Sequence, residues 1–172
     1  GMALVVIGRG SLHGNRFIIA LRDVQGGRRD IEARLDRIAA RGVPNYFGEQ
    51  RFGRDNLQRA EAMARGELRV ADRHLRGIYL SSLRAALFNA VLARRVRDDT
   101  WDRALPGEAL NLDGSRSFFV ADHVDESIVA RRAQGDIHPT GPRWGKGEPP
   151  SHGAALALEQ VVTAECPAIW KQ

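Results

Sequence analysis

Residues 45–53 combine side chains that can stack on nucleobases with one that can bind phosphate. Their sequence, Asn-Tyr-Phe-Gly-Glu-Gln-Arg-Phe-Gly, contains three aromatic residues, whereas the whole chain has 6 Phe, 3 Trp and 2 Tyr. Aromatic rings stack on bases, and the planar guanidinium of Arg51 can pair with phosphate oxygens. Aromatic residues in a loop also pack into protein cores, so this segment is a candidate either for contact with nucleic acid or for core packing.

A mixture of helices and short strands is predicted to position this segment. Gly42 and Pro44 predict that a helix ends before it and that residues 45–53 begin as a loop. Apolar residues at helical spacing predict helices, and glycine-bounded apolar runs predict strands. The predicted helices cover Arg28–Arg41, Asn56–Ala64 with Asn56 as N-cap, His74–Arg97 and Ala154–Ala164, and the predicted strands include Ala3–Ile7 and Phe17–Val24.

The C-terminal half of the chain carries the signal of a β-hairpin. Asp113-Gly114 separates Leu110–Leu112 from Phe118–Val120, a spacing typical of two antiparallel strands. Residues 135–152 are rich in Gly and Pro and are predicted to form a long irregular loop. Because hairpins and separate helices do not alternate as βαβ units, the predicted fold class is α+β.

The charge of the chain permits an acidic partner without requiring one. The formal net charge is +5 and the pI about 10.3, and of the 26 basic residues only Lys146 and Lys171 are not arginine. Arginine forks pair with phosphate and stack on bases, which favours RNA. GC-rich codon usage, which raises the arginine content of a whole proteome, explains the many arginines as well as RNA binding does. Composition therefore leaves RNA binding undecided.

The cysteines, histidines and apolar runs of the sequence bear on whether disulfides, metal sites or membrane spans are expected. The single cysteine, Cys166, excludes an internal disulfide and predicts a cytoplasmic protein. No apolar run approaches the roughly 20 residues that span a bilayer, so no membrane partner is expected. The five histidines show no HxxxH spacing and no CxxC is present, so neither a metal nor a cofactor is expected.

Three ordered motifs resemble those of one family, the D-type tRNA pseudouridine synthases (the TruD family). Residues 45–53 match the family motif NYFGxQRFG at every fixed position, with Glu49 at the variable one. Residues 14–17 resemble its GNxF motif, and residues 84–89 resemble its RSxLFN helix with Ala85 in place of Ser. Residues 107–112 and 117–120 resemble a strand pair of the same family.

The resemblance implies a domain organisation and an activity. In the family, a catalytic domain with a mixed sheet carries an inserted α/β domain, and tRNA binds in the cleft between them. Residues 1–42 resemble the end of the catalytic domain and residues 43–172 the insertion. The implied reaction is the cofactor-free isomerisation of uridine to pseudouridine, by family resemblance uridine 13 in the tRNA D-arm.

The resemblance also implies roles for particular residues. Phe17 matches the aromatic residue that packs on the target uracil, and Asn15 matches the amide beside it. Asn45, Gln50 and Arg51 are expected to line the RNA cleft. The expected structural residues of the motifs are Tyr46, Phe47, Gly48, Phe52, Gly53, Phe88 and Asn89, with Phe88 packing in the core and Asn89 bracing the loop.

The family's catalytic aspartate has no counterpart in this sequence. It lies in a GxKDxxA-like motif upstream of GNxF, and none of the 13 residues before Gly14 resembles that motif. We therefore assign no catalytic residue and expect a chain truncated at its N-terminus, lacking C-terminal strands as well, and inactive alone. The alternatives are a non-catalytic RNA-binding or scaffold module and an α+β domain without an RNA role. Unpaired edges at the two N-terminal strands would favour a homo-oligomer.

Overall fold

A computed structural model describes residues 18, 20–142, 144–145 and 147–165, and the chain divides into two compact units, residues 1–40 and 41–172. The helix α1, Arg28–Arg41, has the predicted bounds and contains no buried residue. Gly42 follows it with φ of 78°, the left-handed conformation that commonly ends a helix.

The strand predicted at Phe17–Val24 is wrong for its described residues. Ile18 and residues 20–24 are irregular, and Asp23 has φ of 54°. A strand needs a neighbouring strand to accept and donate its backbone hydrogen bonds, and none of the described strands pairs with this segment. The expected homo-oligomer would pair through an exposed strand edge, and residues 20–24 form no strand that could provide one. The strand predicted at Ala3–Ile7 lies outside the described residues.

Two helices form the first core of the second unit. The helices α2, Asn56–Ala64, and α3, Arg73–Arg97, pack through a cluster centred on Ala60, Tyr79 and Leu83. The predicted bounds are confirmed to within one residue. Of the stripe that its helical spacing assigns to the core, Tyr79, Leu83, Leu87 and Val91 are buried, whereas Leu75, Ala86 and Ala90 are half-buried.

The N-termini of these helices differ in how their first amides are satisfied. Asp72 caps α3, because its Oδ1 accepts hydrogen bonds from the amides of His74 at 2.7 Å and Leu75 at 3.0 Å. The N-cap of α2 is Asp55 rather than the predicted Asn56. The carbonyl of Asp55 already accepts from the amide of Arg59 at 3.0 Å, so the helical hydrogen bonds begin one residue earlier than predicted.

A small antiparallel sheet forms the second core and confirms the α+β class. The strands β1, Glu108–Leu112, and β2, Phe118–Ala121, form the predicted hairpin, and β3, Ile137–Pro139, pairs with the other edge of β1. Leu110, Ala121 and Ile137 are buried together. The helix α4, Glu126–Ala133, leads into β3, and α5, Gly153–Glu165, follows it.

Two of these elements depart from the sequence prediction. β3 lies within residues 135–152, predicted to be irregular throughout, and its three residues are too few to show a period-two pattern. α4 was not predicted, although Asp125 is a typical N-cap and accepts from the amide of Ile128 at 2.9 Å. Among the residues that the structure describes, none of the helices combines the length and the apolar composition that spanning a bilayer requires.

A buried ion pair joins α3 to β1. Arg95 is 5% exposed and Glu108 is 3% exposed, and the guanidinium donates to Glu108 Oε1. Arg95 also donates to the carbonyls of Thr100 and Arg103, while Glu108 Oε2 accepts from the amide of Leu105 at 2.8 Å. Burial raises the pKa of Glu108, and the adjacent guanidinium of Arg95 opposes that rise.

Candidate nucleic-acid interface

Residues 45–53 form a loop whose second half contains one short 3-10 turn, Glu49–Arg51. The amide of Arg51 donates to the carbonyl of Gly48 at 3.0 Å, and the amide of Gly53 donates to that of Glu49 at 3.2 Å. Gly53 has φ of 57°, and a Cβ there would lie 2.7 Å from Asn56 Nδ2. The turn therefore favours glycine at its end, because this left-handed φ strains the backbone of a residue with a side chain.

Asn89 of α3 holds the middle of the loop through two hydrogen bonds. Its Oδ1 accepts from the amide of Phe47 at 2.9 Å, and its Nδ2 donates to the carbonyl of Phe47 at 2.9 Å. A side-chain amide is the group that offers both a donor and an acceptor in this geometry. The backbone of Phe47 is therefore held at a fixed position against α3.

The ring of Phe47 packs on α3 as well. Phe47 and Phe88 lie edge to face, with ring centroids 5.2 Å apart and planes inclined by 72°. On another side of Phe88 the chain approaches so closely that a Cβ at Gly141 would be 2.2 Å from the ring carbons. Phe88 is thus enclosed by the loop and by Gly141, while Phe47 remains 39% exposed.

Arg51 is oriented by the loop and by α3. Its guanidinium carbon lies 5.2 Å from the centroid of the Phe47 ring, and its Nη1 donates to Ser81 Oγ at 3.2 Å. The carbonyl of Arg51 accepts from the hydroxyl of Ser82, which is completely buried. In the part of the chain that the structure describes, no carboxylate lies within ion-pair distance of this guanidinium. Its remaining N–H donors can therefore bind an external anion.

Other arginines of the same unit are neutralised within the protein. Ion pairs with aspartate or glutamate engage Arg41, Arg59, Arg65, Arg94, Arg95, Arg103 and Arg131. The guanidinium of Arg41 bridges Asp99 and Asp102, and these hydrogen bonds raise its pKa and lower that of Asp102. Among the described residues, no such pair engages Arg73, Arg76 or Arg84 of α3. The same holds for Arg54, Arg69, Arg97, Arg116 and Arg132, so arginines without an internal partner lie on α3 near the loop and also elsewhere in the unit.

An open groove of about 640 Å³ lies beside Arg51 along the first turns of α3. Residues spaced by three or four along α3 share one face, and Arg73, Gly77, Ser81 and Arg84 follow this spacing toward Phe88. The residues that line the groove are Arg51, Arg73, His74, Gly77, Ile78 and Ser81.

Of the residues assigned to the interface from sequence, the structure brings one into the groove. Asn45, Gln50 and Arg51 are all exposed, but only Arg51 lines the groove, and Asn15 and Phe17 lie outside the described residues. Among the expected structural residues, Tyr46 is 42% exposed and Phe52 is half-buried.

Several residues of this region escaped sequence reasoning. Ser81 and Ser82 lie within the predicted helix His74–Arg97 and belong to no motif, yet both hydrogen-bond to Arg51. Arg73, His74 and Gly77 of the groove carried no motif. The available signal was helical spacing: continuing the face of Arg84 and Phe88 toward the N-terminus of α3 leads to these positions.

The family assignment rests on comparisons across nearly the whole chain. The family model described as tRNA pseudouridine synthase D (TruD) matches residues 3–71 and 54–166, which include the loop, the groove and the sheet. The chain belongs to the TruD family. This match confirms the resemblance at the three motifs and extends it to the residues between them.

Individual TruD relatives agree with this assignment. The tRNA pseudouridine synthase D of Nitrosococcus oceani is 48% identical over 95% of this chain and 46% of its own length. The proteins of that name from Xanthomonas axonopodis pv. citri and Methylococcus capsulatus are each 48% identical, over 94% and 92% of this chain and 48% and 45% of their own lengths. The chain thus spans slightly less than half the length of these TruD relatives.

Proposed function

We propose that this chain provides part of the tRNA-binding surface of a tRNA pseudouridine synthase. The observation that carries the proposal is Arg51, which Phe47 and Ser81 orient and which has no carboxylate partner among the described residues. Orienting a guanidinium before binding reduces the entropy lost when it meets phosphate. The names of the TruD relatives supply the substrate class, tRNA.

The division of labour in the reaction follows from its chemistry. Pseudouridine formation breaks a C–N glycosidic bond, rotates the uracil and forms a C–C bond, so the target nucleotide must leave the base stack. In this proposal the loop and α3 hold flanking phosphates, while Asn15 and Phe17 contact the flipped uracil. The finer proposals are uridine 13 of the D-arm as target, the domain assignment to residues 1–42 and 43–172, and cytoplasmic location.

The 172-residue polypeptide on its own is expected to bind tRNA without converting uridine. The reaction requires an aspartate against the nucleoside, and no aspartate of this sequence has the family's motif context. Single-turnover incubation with unmodified tRNA, followed by nucleoside mass spectrometry, should give background pseudouridine only. Product that disappears on replacement of one aspartate of the chain would contradict this proposal.

A non-catalytic RNA-binding module is the second candidate, because no aspartate among the 172 residues has the context of the family's motif. Sequencing of the gene upstream of the Met2 codon discriminates between the two. An in-frame GxKDxxA-like motif supports the synthase, whereas an unrelated or interrupted reading frame supports the module.

Binding of tRNA is expected to be electrostatic and to depend on Arg51. Phosphate neutralisation dominates such affinities, so binding should fall steeply between about 50 and 200 mM salt. Arg51→Ala should weaken tRNA binding about tenfold at low salt, because one charge-assisted phosphate contact is lost. Filter binding across a salt series measures both effects.

The matched control is Arg116→Ala, which removes the same charge from the exposed turn between β1 and β2. Its tRNA affinity should stay within about twofold of that of the unmodified chain. Equal losses in the two variants would mean that net charge, and not the oriented Arg51, determines binding. No salt-sensitive association of the unmodified chain would refute the proposed function.

A further inference from the structure

The groove on α3 has the size and the lining of a site for a small planar anion. Its volume of about 640 Å³ lies within the usual 300–1,000 Å³ of small-ligand sites. A bare phosphate ion would leave most of that space unfilled. The groove lies entirely within the second unit and shares only Arg51 with the residues assigned to RNA from sequence.

The charge of the groove is of one sign. Arg51 and Arg73 line it together with His74, and no carboxylate is among the lining residues. Asp72, which precedes Arg73 in the sequence, accepts hydrogen bonds from the backbone amides of Leu75 and His74. These hydrogen bonds hold the pKa of Asp72 below its usual range. Asp72 is thereby engaged in capping α3, and the two lining arginines are available to an anion.

The lining of the groove is partly apolar and leaves open space at Gly77. A Cβ built on Gly77 would have no atom within 4 Å, so the backbone of α3 faces open space at this position. Ile78 adds an aliphatic surface beside it. Ser81 Oγ accepts from Arg51 at 3.2 Å and retains its own proton for donation. A planar ring can therefore approach the helix backbone where a larger side chain would prevent contact.

We propose that this groove binds one nucleotide of the RNA strand, with its base against Gly77 and Ile78 and its phosphate between Arg51 and Arg73. The ligand class is a nucleoside 5′-monophosphate unit, and the residues that hold it belong to the loop and to α3. That the nucleotide belongs to tRNA rests on the proposed function; the nucleotide specificity of the groove does not.

Titration of the ¹⁵N-labelled chain with uridine 5′-monophosphate and adenosine 5′-monophosphate, followed by NMR, tests the site. Amide shifts should concentrate at residues 73–81 and near Arg51. Inorganic phosphate and free uridine should each bind at least about tenfold more weakly, because each lacks one half of the recognised unit. Equal binding of inorganic phosphate would overturn the nucleotide assignment.

Gly77→Leu is the decisive variant, because it fills the groove at an exposed helical position. Leucine has a higher helix propensity than glycine, so the melting temperature should hold or rise while nucleotide binding falls at least about tenfold. Arg73→Ala should weaken the binding of the monophosphates by about the same factor and leave the binding of free uridine unchanged. Arg97→Ala, which removes an exposed charge from the other end of α3, should change neither. Unchanged nucleotide binding in Gly77→Leu would overturn the proposal.

Filter binding of tRNA by the same variants separates this inference from the proposed function. If tRNA binding depends on Arg51 but Gly77→Leu changes the affinity neither for tRNA nor for the monophosphates, the proposed nucleotide site is refuted and the proposed function stands. If the monophosphates bind in the groove but tRNA does not associate at low salt, the proposed function is refuted and the nucleotide site stands.

Discussion

Arg95→Met is expected to lower the free energy of unfolding by about 3–5 kcal/mol, the usual cost of removing one partner of a buried ion pair. Glu108 would remain buried without its counter-ion, and the carbonyls of Thr100 and Arg103 would lose their donor. Because the pair joins α3 to β1, the loss should destabilise the packing of the sheet on the helix. Urea denaturation followed by circular dichroism measures the change.

The pH dependence of this loss identifies its cause. Without Arg95, burial raises the pKa of Glu108 further above its unfolded value, so the folded state holds the proton more tightly. Stability should then be highest below the unfolded pKa and should fall as pH rises through the folded pKa. The deficit of Arg95→Met should therefore shrink at about pH 4, near the unperturbed pKa of glutamate.

The double variant Arg95→Met with Glu108→Gln provides the control. It removes both charges, so no buried carboxylate lacks its counter-ion, and it should recover part of the stability lost in the single variant. A double variant as unstable as the single one at neutral pH, with no pH dependence in either, would mean that lost packing and not the unpaired charge is responsible.

Asn89→Asp is expected to detach the loop from α3 and to reduce tRNA affinity about as much as Arg51→Ala. Aspartate keeps an acceptor for the amide of Phe47 but places a carboxylate oxygen next to its carbonyl, which leaves that carbonyl without a donor. The free energy of unfolding should fall by about 1–3 kcal/mol. Phe47 would then no longer hold Arg51 in position.

Asn111→Asp is the matched control for this variant. Asn111 Nδ2 donates to the carbonyl of Leu112 at 3.0 Å within the β1–β2 hairpin, so the same atom change removes a comparable hydrogen bond away from the loop. Its stability should fall while its tRNA affinity by filter binding stays unchanged. If both variants lose tRNA affinity equally, the effect comes from general destabilisation and added negative charge.

Much of the local structure was predictable because it depends on neighbours in sequence. The bounds of α1, α2, α3 and α5, and the β1–β2 hairpin, followed from apolar spacing and from Asp113-Gly114, which act over a few residues. The misses have a common cause. The strand at Phe17–Val24 was predicted from a glycine-bounded apolar run, which does not show whether a neighbouring strand is present. β3 was missed because its three residues become a strand only beside β1.

Family membership and the loop with its motif were determined by the sequence alone, because residues 45–53 match position by position. What the loop offers to a ligand was decided by the tertiary structure. Asn89 meets Phe47 across 42 positions, and Arg51 meets Ser81 across 30. Which arginines are neutralised by carboxylates and which remain available to a phosphate depends on such distant contacts, and a pattern of neighbouring residues carries no information about them.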